Sequence, residues 1–229
     1  MSLKSNQKLY FSEPKLNMKK FLSAIINNIL IIIIPLLCKP LLILHYKIIM
    51  IEIVVFALWF TQPEFSLQET KQEKENDKFS VILILVMSVI SIVVPVIDWA
   101  YFKAGYNHFG IMGWLAVIFI ITGIFIRIWS ITKLGNFFTP TVQIQDDHKL
   151  ITSGPYAIVR HPSYLGAFLC ITSGALILNS ITGYIAACAC MGIAYYYRII
   201  AEEQKLISYF GNSYTDYMKN TKMIIPFIL

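Results

Sequence analysis

Two short stretches in the second half of the 229-residue chain carry the residue types best suited to chemistry. In the first, Arg160 and His161 precede Pro162, and Ser163 and Tyr164 follow it. Because proline suits the first turn of an α-helix, a helix is predicted to begin here. The N–H groups exposed at a helix N-terminus attract carboxylates and other anions. The stretch therefore indicates either an anion-binding site or a positively charged helix cap at the lipid interface.

The second stretch contains one arginine and two glutamates. Arg198 and Glu202 are four residues apart and share one face of a predicted helix, whereas Glu203 is rotated from that face by about 100°. A surface ion pair between Arg198 and Glu202 would contribute only about 0–1 kcal/mol. The pair, however, directly follows an apolar run, and ionisable groups at membrane depth are candidates for function by default.

The composition of the chain indicates the class of protein in which these two stretches lie. The chain is 57% hydrophobic and 14% charged, with a mean hydropathy of +0.64. Soluble proteins are about 45–50% apolar and about 25% charged, so these values exclude an ordinary soluble domain, a disordered chain and a disulfide scaffold. The positive charge lies mostly at the ends of apolar runs, which argues against a nucleic-acid partner.

Six apolar runs have about the length that a spanning helix needs, roughly 17–25 residues. They cover residues 21–38, 41–61, 79–97, 111–131, 163–178 and 181–197. We therefore predict an all-α, polytopic membrane protein with about six transmembrane helices, including a helical hairpin at 163–197. No repeat or low-complexity linker divides the chain, so residues 1–229 are predicted to form a single membrane domain.

The lysines and arginines predict the orientation of these helices. If the N-terminus is cytosolic, fifteen of the 19 basic residues belong to segments on the cytosolic side. Arg127 could reach the same side by extending along the helix, and Lys39, Lys47 and Lys103 are the exceptions. Both termini and both chemical stretches are then expected on the cytosolic side. The four cysteines are interpreted as packing residues and the adjacent Asp146 and Asp147 as solvated, so no metal is predicted.

The two stretches form part of longer motifs. These are Gly154-x-Tyr156-x-x-x-Arg160-His161-Pro162-x-Tyr164-x-Gly166, then Arg198-x-x-x-Glu202-Glu203-x-x-Leu206-x-x-x-Phe210-Gly211-x-x-Tyr214-x-x-Tyr217, and Ile225-Pro226. In this order the motifs closely resemble the isoprenylcysteine carboxyl methyltransferase family, over about residues 113–229. The resemblance implies a methyltransferase core over residues 111–229, with residues 1–110 as accessory transmembrane helices.

The resemblance also implies S-adenosyl-L-methionine as cofactor, in a cytosol-facing pocket formed by the C-terminal half. By position, its contacts would be Gln143, His148, Lys149, Leu150, Ile151, Tyr156, His161, Pro162, Ser163, Tyr164 and Glu202. Arg198 would bind the substrate carboxylate, and Arg198 and Glu202 are the residues expected to act in catalysis. The expected acceptor is a prenylated cysteine or a similar lipophilic carboxylate that enters from membrane lipid. The membrane would be the endoplasmic reticulum in a eukaryote or the inner membrane in a bacterium.

The residue types suit this chemistry, because a carboxylate nucleophile needs alignment and desolvation rather than a general base. Arg198 could hold one carboxylate oxygen, Glu202 the ammonium group of the cofactor, and the helix start at 161–164 its carboxylate. Tyr156 and Tyr164 could pack on the adenine.

Three alternatives stay open at the level of sequence. Phospholipid methyltransferases and NADPH-dependent sterol reductases share a related Arg-His-Pro half, although the motif from Arg198 to Gly211 favours the carboxyl methyltransferase. A transporter or scaffold without catalysis would instead distribute polar residues over several helices near mid-membrane.

Overall fold

The computed structural model describes residues 18–62, 75–103, 105–139 and 149–226. Within these ranges the chain is built from helices, and no strand is present there. The α-helices are α1 (Met18–Asn28), α2 (Tyr46–Thr61), α3 (Glu75–Ile97), α4 (Gly110–Leu134), α5 (Pro162–Ile177), α6 (Ile181–Phe210) and α7 (Asn212–Asn220). Two of them end in π-helical turns, since Ile29–Ile33 follows α1 and Asp98–Phe102 follows α3.

Three helical segments of the described residues are long and apolar enough to cross a membrane. These are Phe79–Phe102, Gly110–Leu134 and Ile181–Phe210, and two shorter apolar helices lie beside them, Phe21–Leu36 and Pro162–Ile177. The all-helical class and the membrane character are thus confirmed, and the number of six spans remains a prediction.

The second apolar run departs most from its predicted bounds. Pro40 opens only a short 3₁₀ turn, Pro40–Leu42, and α2 begins at Tyr46. His45 has extended backbone, and its ring nitrogen Nδ1 accepts a hydrogen bond from the backbone N–H of Lys47 at 3.3 Å, which caps the helix. With 16 residues, α2 is about 24 Å long, shorter than the hydrocarbon core of about 30 Å.

Helix α6 is longer than its apolar run and carries the second chemical stretch on a continuous helix. It has 30 residues and ends at Gly211, whose φ of +56° suits glycine. A helix of this length spans about 45 Å and extends beyond a single hydrocarbon layer. Arg198, Glu202 and Glu203 therefore lie on a rigid extension of the membrane helix.

Helices α4 and α5 touch backbone to backbone where two glycines face each other. A Cβ atom added to Gly166 would lie 2.6 Å from the carbonyl oxygen of Gly123 and 2.9 Å from the backbone nitrogen of Arg127. A Cβ atom on Gly123 would meet the carbonyl oxygen of Gly166 at the same 2.6 Å. Small residues permit this approach in membrane bundles, and the contact sets the distance between α4 and the start of α5.

Gly166→Ala is therefore expected to lower the free energy of unfolding by about 1–3 kcal/mol, because α4 and α5 must move apart. The measurement is thermal unfolding in detergent. Gly192→Ala on α6 is the matched control, since no atom lies within 4 Å of its added Cβ. The control should be neutral or stabilising by up to about 1 kcal/mol. Equal unfolding temperatures for Gly166→Ala and the wild type would contradict a tight contact between α4 and α5.

The three lysines that the orientation rule left as exceptions bind main-chain carbonyls at the far end of the bundle. Lys39 Nζ donates to the carbonyl of Ala100 at 2.6 Å, and Lys103 Nζ to that of Asn179 at 2.6 Å. Lys47 is fully buried, and its Nζ donates to the carbonyls of Tyr106 and His108 at 2.9 and 3.0 Å. The carbonyls of Tyr106 and His108 also accept from Trp99 Nε1 and Asn179 Nδ2, so these lysines strengthen existing contacts between loops and helix ends.

Candidate active site

A polar pocket lies where the start of α5, the C-terminal half of α6 and α7 meet. Nine of the predicted site residues line it, namely Lys149, Leu150, Ile151, Tyr156, His161, Ser163, Tyr164, Arg198 and Glu202. Pro162 is buried as the first residue of α5. Gln143 and His148 lie outside the described residues.

The Arg-His-Pro turn is held by the C-terminal segment. The backbone N–H of Arg160 donates to the carbonyl of Lys222 at 2.8 Å, and that of His161 to Met223 at 3.0 Å. The N–H groups of Tyr164 and Leu165 both donate to the carbonyl of His161. Much of the donor capacity expected at this helix start is thus engaged within the protein, which leaves less of it for an anion.

Arg198 and Glu202 lie on the same face of α6, as their spacing predicts, and the Tyr164 hydroxyl joins them. The hydroxyl donates to Glu202 Oε2 at 2.9 Å, and Arg198 Nε donates to the hydroxyl oxygen at 3.4 Å. Arg198 Nη1 also donates to Ser80 Oγ on α3 at 3.1 Å. Since Arg198 is only 4% exposed, a solvated surface ion pair is excluded.

Three further ionised side chains belong to this region and were not among the predicted site residues. Arg127 is 3% exposed rather than extended toward the membrane surface. Its Nε donates to Thr61 Oγ1 at 2.6 Å, and its Nη1 donates to the carbonyl of Ser163 at 3.1 Å. Arg160 and Glu203 form a buried ion pair, with Arg160 Nε 2.6 Å from Glu203 Oε1. The sequence places these charged residues near the ends of apolar runs and in the two motifs, but it does not show which partners they bind.

A second cavity, of about 840 Å³, lies between α1, α2, α3, α5 and α6. Most of its lining is apolar, from residues such as Ile31, Val55, Leu58, Ile84, Leu85, Val89, Ala167 and Ile171. Arg127 and Arg198 contribute two cations to its wall. Five residues line both this cavity and the polar pocket, namely Phe138, Thr139, Ser163, Tyr164 and Arg198, so the two spaces adjoin there.

Tyrosines close the side of the polar pocket that faces α7. The Tyr217 hydroxyl donates to the carbonyl of Tyr156 at 2.6 Å, and Tyr214 is 2% exposed. Burial raises the pKa of Tyr217 to about 12, and burial also raises the pKa values of Tyr156 and Tyr214. All three phenols therefore stay neutral hydrogen-bond donors at physiological pH.

The fold and the site together define a helical membrane protein whose polar pocket adjoins an apolar cavity. Comparison with known families agrees with the motifs, because residues 115–208 match the family described as isoprenylcysteine carboxyl methyltransferase (ICMT). This match includes the Arg-His-Pro turn and the stretch from Arg198 to Glu203. The resemblance inferred from the sequence is thus confirmed over these residues.

Several curated relatives carry the name protein-S-isoprenylcysteine O-methyltransferase. One from Dictyostelium discoideum is 36% identical over 132 residues, which are 57% of this chain and 55% of the relative. One from Schizosaccharomyces pombe is 33% identical over 115 residues, which are 49% of each chain. An Arabidopsis thaliana relative, the B form, is 29% identical over 142 residues, 61% of this chain and 72% of the relative. The chain spans about half the length of the first two relatives.

Proposed function

We propose that the protein is an integral-membrane methyltransferase that transfers a methyl group from S-adenosylmethionine to the carboxylate of a prenylated cysteine or a similar lipophilic acceptor. The observation that carries this proposal is the junction of the polar pocket with the apolar cavity at Ser163, Tyr164 and Arg198. A water-soluble donor and a lipid-soluble acceptor need two such spaces with one shared wall.

The residues of the polar pocket fit the proposed methyl donor. Glu202 offers a carboxylate to its ammonium group, and the side chain of Glu202 is 27% exposed, so it is accessible from the pocket. Tyr156 and Tyr164 offer aromatic faces to its adenine, and Leu150 and Ile151 offer apolar contact. Lys149, His161, Pro162 and Ser163 complete the contacts that the family resemblance implies, and Gln143 and His148 stay predictions.

The apolar cavity fits a prenyl or acyl chain, and its arginines fit the carboxylate at the end of that chain. Arg198 lies in the shared wall, so a carboxylate bound to it also faces the polar pocket. Arg127 lies in the same cavity wall and could contribute a second positive charge. In these apolar surroundings an unpaired carboxylate would be costly to bury, whereas a carboxylate paired with an arginine is stabilised. The arginines therefore favour an acidic acceptor.

When bound, S-adenosylmethionine supplies a methyl group on a sulfonium, and its transfer to a carboxylate oxygen forms a methyl ester and leaves a neutral thioether. Arg198 orients the carboxylate, and orientation of this kind can supply roughly 7–11 kcal/mol of a barrier. Tyr164 fixes the distance between Arg198 and Glu202 through its two hydrogen bonds. Because no proton leaves the carboxylate, no side chain has to act as a base.

We further propose that the polar pocket faces the cytosol, with six membrane crossings and both termini on that side. The distribution of lysine and arginine supports this orientation. In a eukaryote the membrane would be the endoplasmic reticulum, and in a bacterium the inner membrane. Ser23, Asn27 and Ile31 of the predicted accessory segment line the apolar cavity, which supports a single domain over residues 1–229.

Calorimetry with S-adenosylmethionine and the detergent-purified chain tests this proposal directly. Saturable binding is expected, followed by methylation of a prenylcysteine whose amine is acylated. The same acceptor with its carboxylate converted to an amide is the control, and it should accept no methyl group. Absence of binding by well-folded protein would refute the proposed function.

A further inference from the structure

A buried cluster of Arg160, His161 and Glu203 borders the polar pocket, and the proposed transfer gives Arg160 and Glu203 no role. Glu203 is 6% exposed and His161 is 4% exposed. Glu203 Oε1 accepts hydrogen bonds from Arg160 Nε at 2.6 Å and from His161 Nε2 at 3.1 Å. Glu202 and Glu203 are consecutive on α6 and so point about 100° apart. Glu202 faces the pocket, whereas Glu203 faces the Arg-His-Pro turn.

The hydrogen bond to Glu203 determines which nitrogen of His161 carries the hydrogen. A carboxylate oxygen accepts and does not donate, so Nε2 must be the donor. In a neutral imidazole the other nitrogen, Nδ1, is then an acceptor. Nδ1 of His161 lies 4.0 Å from Glu202 Oε1, and both residues line the polar pocket. With a neutral imidazole in this tautomer, the pocket presents two neighbouring acceptors, the imidazole nitrogen and the carboxylate.

The opposite tautomer would change this part of the pocket. It would place an N–H group on Nδ1, directed toward Glu202, and the Glu202 carboxylate would then accept a hydrogen from within the protein. A cationic ligand would meet a competing donor instead of a second acceptor. The charge of Glu203 thus affects ligand binding without contact between Glu203 and the ligand.

Glu203 also stabilises the segment that covers the pocket, through Arg160. Besides its bond to Glu203, Arg160 donates from Nη1 to the carbonyl of Thr221 and, at 3.3 Å, to that of Met218. Met218 belongs to α7, which carries Tyr214 and Tyr217 into the pocket wall. Without Glu203 the buried guanidinium would lose its charge partner, and its hold on α7 would weaken.

We propose that Glu203 is a positioning residue of the methyl-donor pocket: it holds His161 in the Nε2–H form, so that Nδ1 and Glu202 together present two acceptors to the ammonium group of S-adenosylmethionine. The identity of the ligand rests on the proposed function, whereas the tautomer of His161 is inferred from the hydrogen bonds alone.

The test compares the wild type with Glu203→Gln in two measurements on the full chain in detergent. In calorimetry, Glu203→Gln should weaken S-adenosylmethionine binding by about 10- to 100-fold, the range known for removal of the partner that orients a metal-binding imidazole. In nitrogen NMR of protein labelled at its four histidines, the wild type should show His161 protonated on Nε2. Glu203→Gln should show a mixture of tautomers, because an amide can either donate or accept. A His161→Gln variant identifies the His161 signals.

Asp216→Asn is the matched control, since it also converts an acid to an amide but lies on an exposed part of α7. It should leave both the affinity and the spectrum unchanged. Glu203→Asp keeps the charge with a shorter reach, and it should retain the Nε2–H form with part of the affinity. It carries the test if Glu203→Gln fails to fold, and loss of the Nε2–H form in Glu203→Asp without any loss of affinity would then overturn the inference.

The two proposals fail in distinguishable ways. An unchanged His161 tautomer in Glu203→Gln, or unchanged affinity beside a wild type that binds, overturns the role of Glu203. A folded wild type that does not bind S-adenosylmethionine overturns the proposed function. The nitrogen NMR spectrum still decides whether Glu203 keeps His161 in the Nε2–H form.

Discussion

Arg198→Ala is expected to lower kcat/KM for methylation by about 100-fold or more, while the Kd for S-adenosylmethionine changes by less than about threefold. Truncating one partner of a buried, hydrogen-bonded charge pair costs about 2–5 kcal/mol, and each 1.4 kcal/mol corresponds to about tenfold. Arg198 is buried in the wall shared by the two cavities, so the acceptor carboxylate would lose its charged partner there. Steady-state methylation of a prenylcysteine analogue measures the first quantity, and calorimetry measures the second.

Lys219→Ala serves as the control for Arg198→Ala. Its side chain is 74% exposed and pairs with Asp216, an interaction worth about 0–1 kcal/mol. The control should keep wild-type kcat/KM. If Arg198→Ala folds, binds the donor and keeps full activity, Arg198 does not bind the acceptor. Arg198→Lys should recover only part of the activity, because an ammonium lacks the planar set of donors.

Glu202→Gln is expected to show the opposite pattern. The Kd for S-adenosylmethionine should rise about 10- to 100-fold, since hydrogen bonds to charged groups contribute about 1.5–3 kcal/mol. The amide keeps an oxygen that can accept from the Tyr164 hydroxyl, so the contact between α5 and α6 should survive. The KM for the acceptor should stay within about threefold, because Arg198 is unchanged. Calorimetry and the two substrate titrations separate these effects.

Asp216→Asn again provides the comparison for loss of an acidic charge, since its side chain is 67% exposed. Its donor affinity should equal that of the wild type. Wild-type donor affinity in folded Glu202→Gln would refute the assignment of Glu202 to the ammonium group. A loss of acceptor binding alone would place Glu202 beside the acceptor instead.

Much of the fold follows from the sequence because long uncharged runs have few alternatives to a helix in lipid. The ends of those helices do not follow from hydropathy. Helix α6 continues past its apolar run because Glu202, Glu203, Gln204 and Lys205 are good helix formers, and it ends only at Gly211. Helix α2 begins later than its apolar run because the segment after Pro40 forms a 3₁₀ turn before His45 caps the helix.

The candidate site was predictable where its residues belong to one local motif. Tyr156, His161 and Tyr164 lie close together in sequence, and Arg198 and Glu202 share a helical face, so the motifs already group them. Arg127 and Glu203 depend on contacts between distant segments. A single arginine near the end of an apolar run can extend toward the membrane surface or turn inward. The contacts of Arg127 with Thr61 on α2 and Ser163 on α5 distinguish the two.

The pairing of Arg160 and His161 with Lys222 and Met223 has a consequence for biosynthesis. The Arg-His-Pro turn leaves the ribosome about 60 residues before its hydrogen-bond partners do. A nascent chain can therefore insert α5 and α6 before the backbone hydrogen bonds that hold the Arg-His-Pro turn can form. Any ligand that binds only the completed pocket would then stabilise the finished molecule by mass action. The Arg-His-Pro turn is thus completed only after the helices that carry the two motifs have been made.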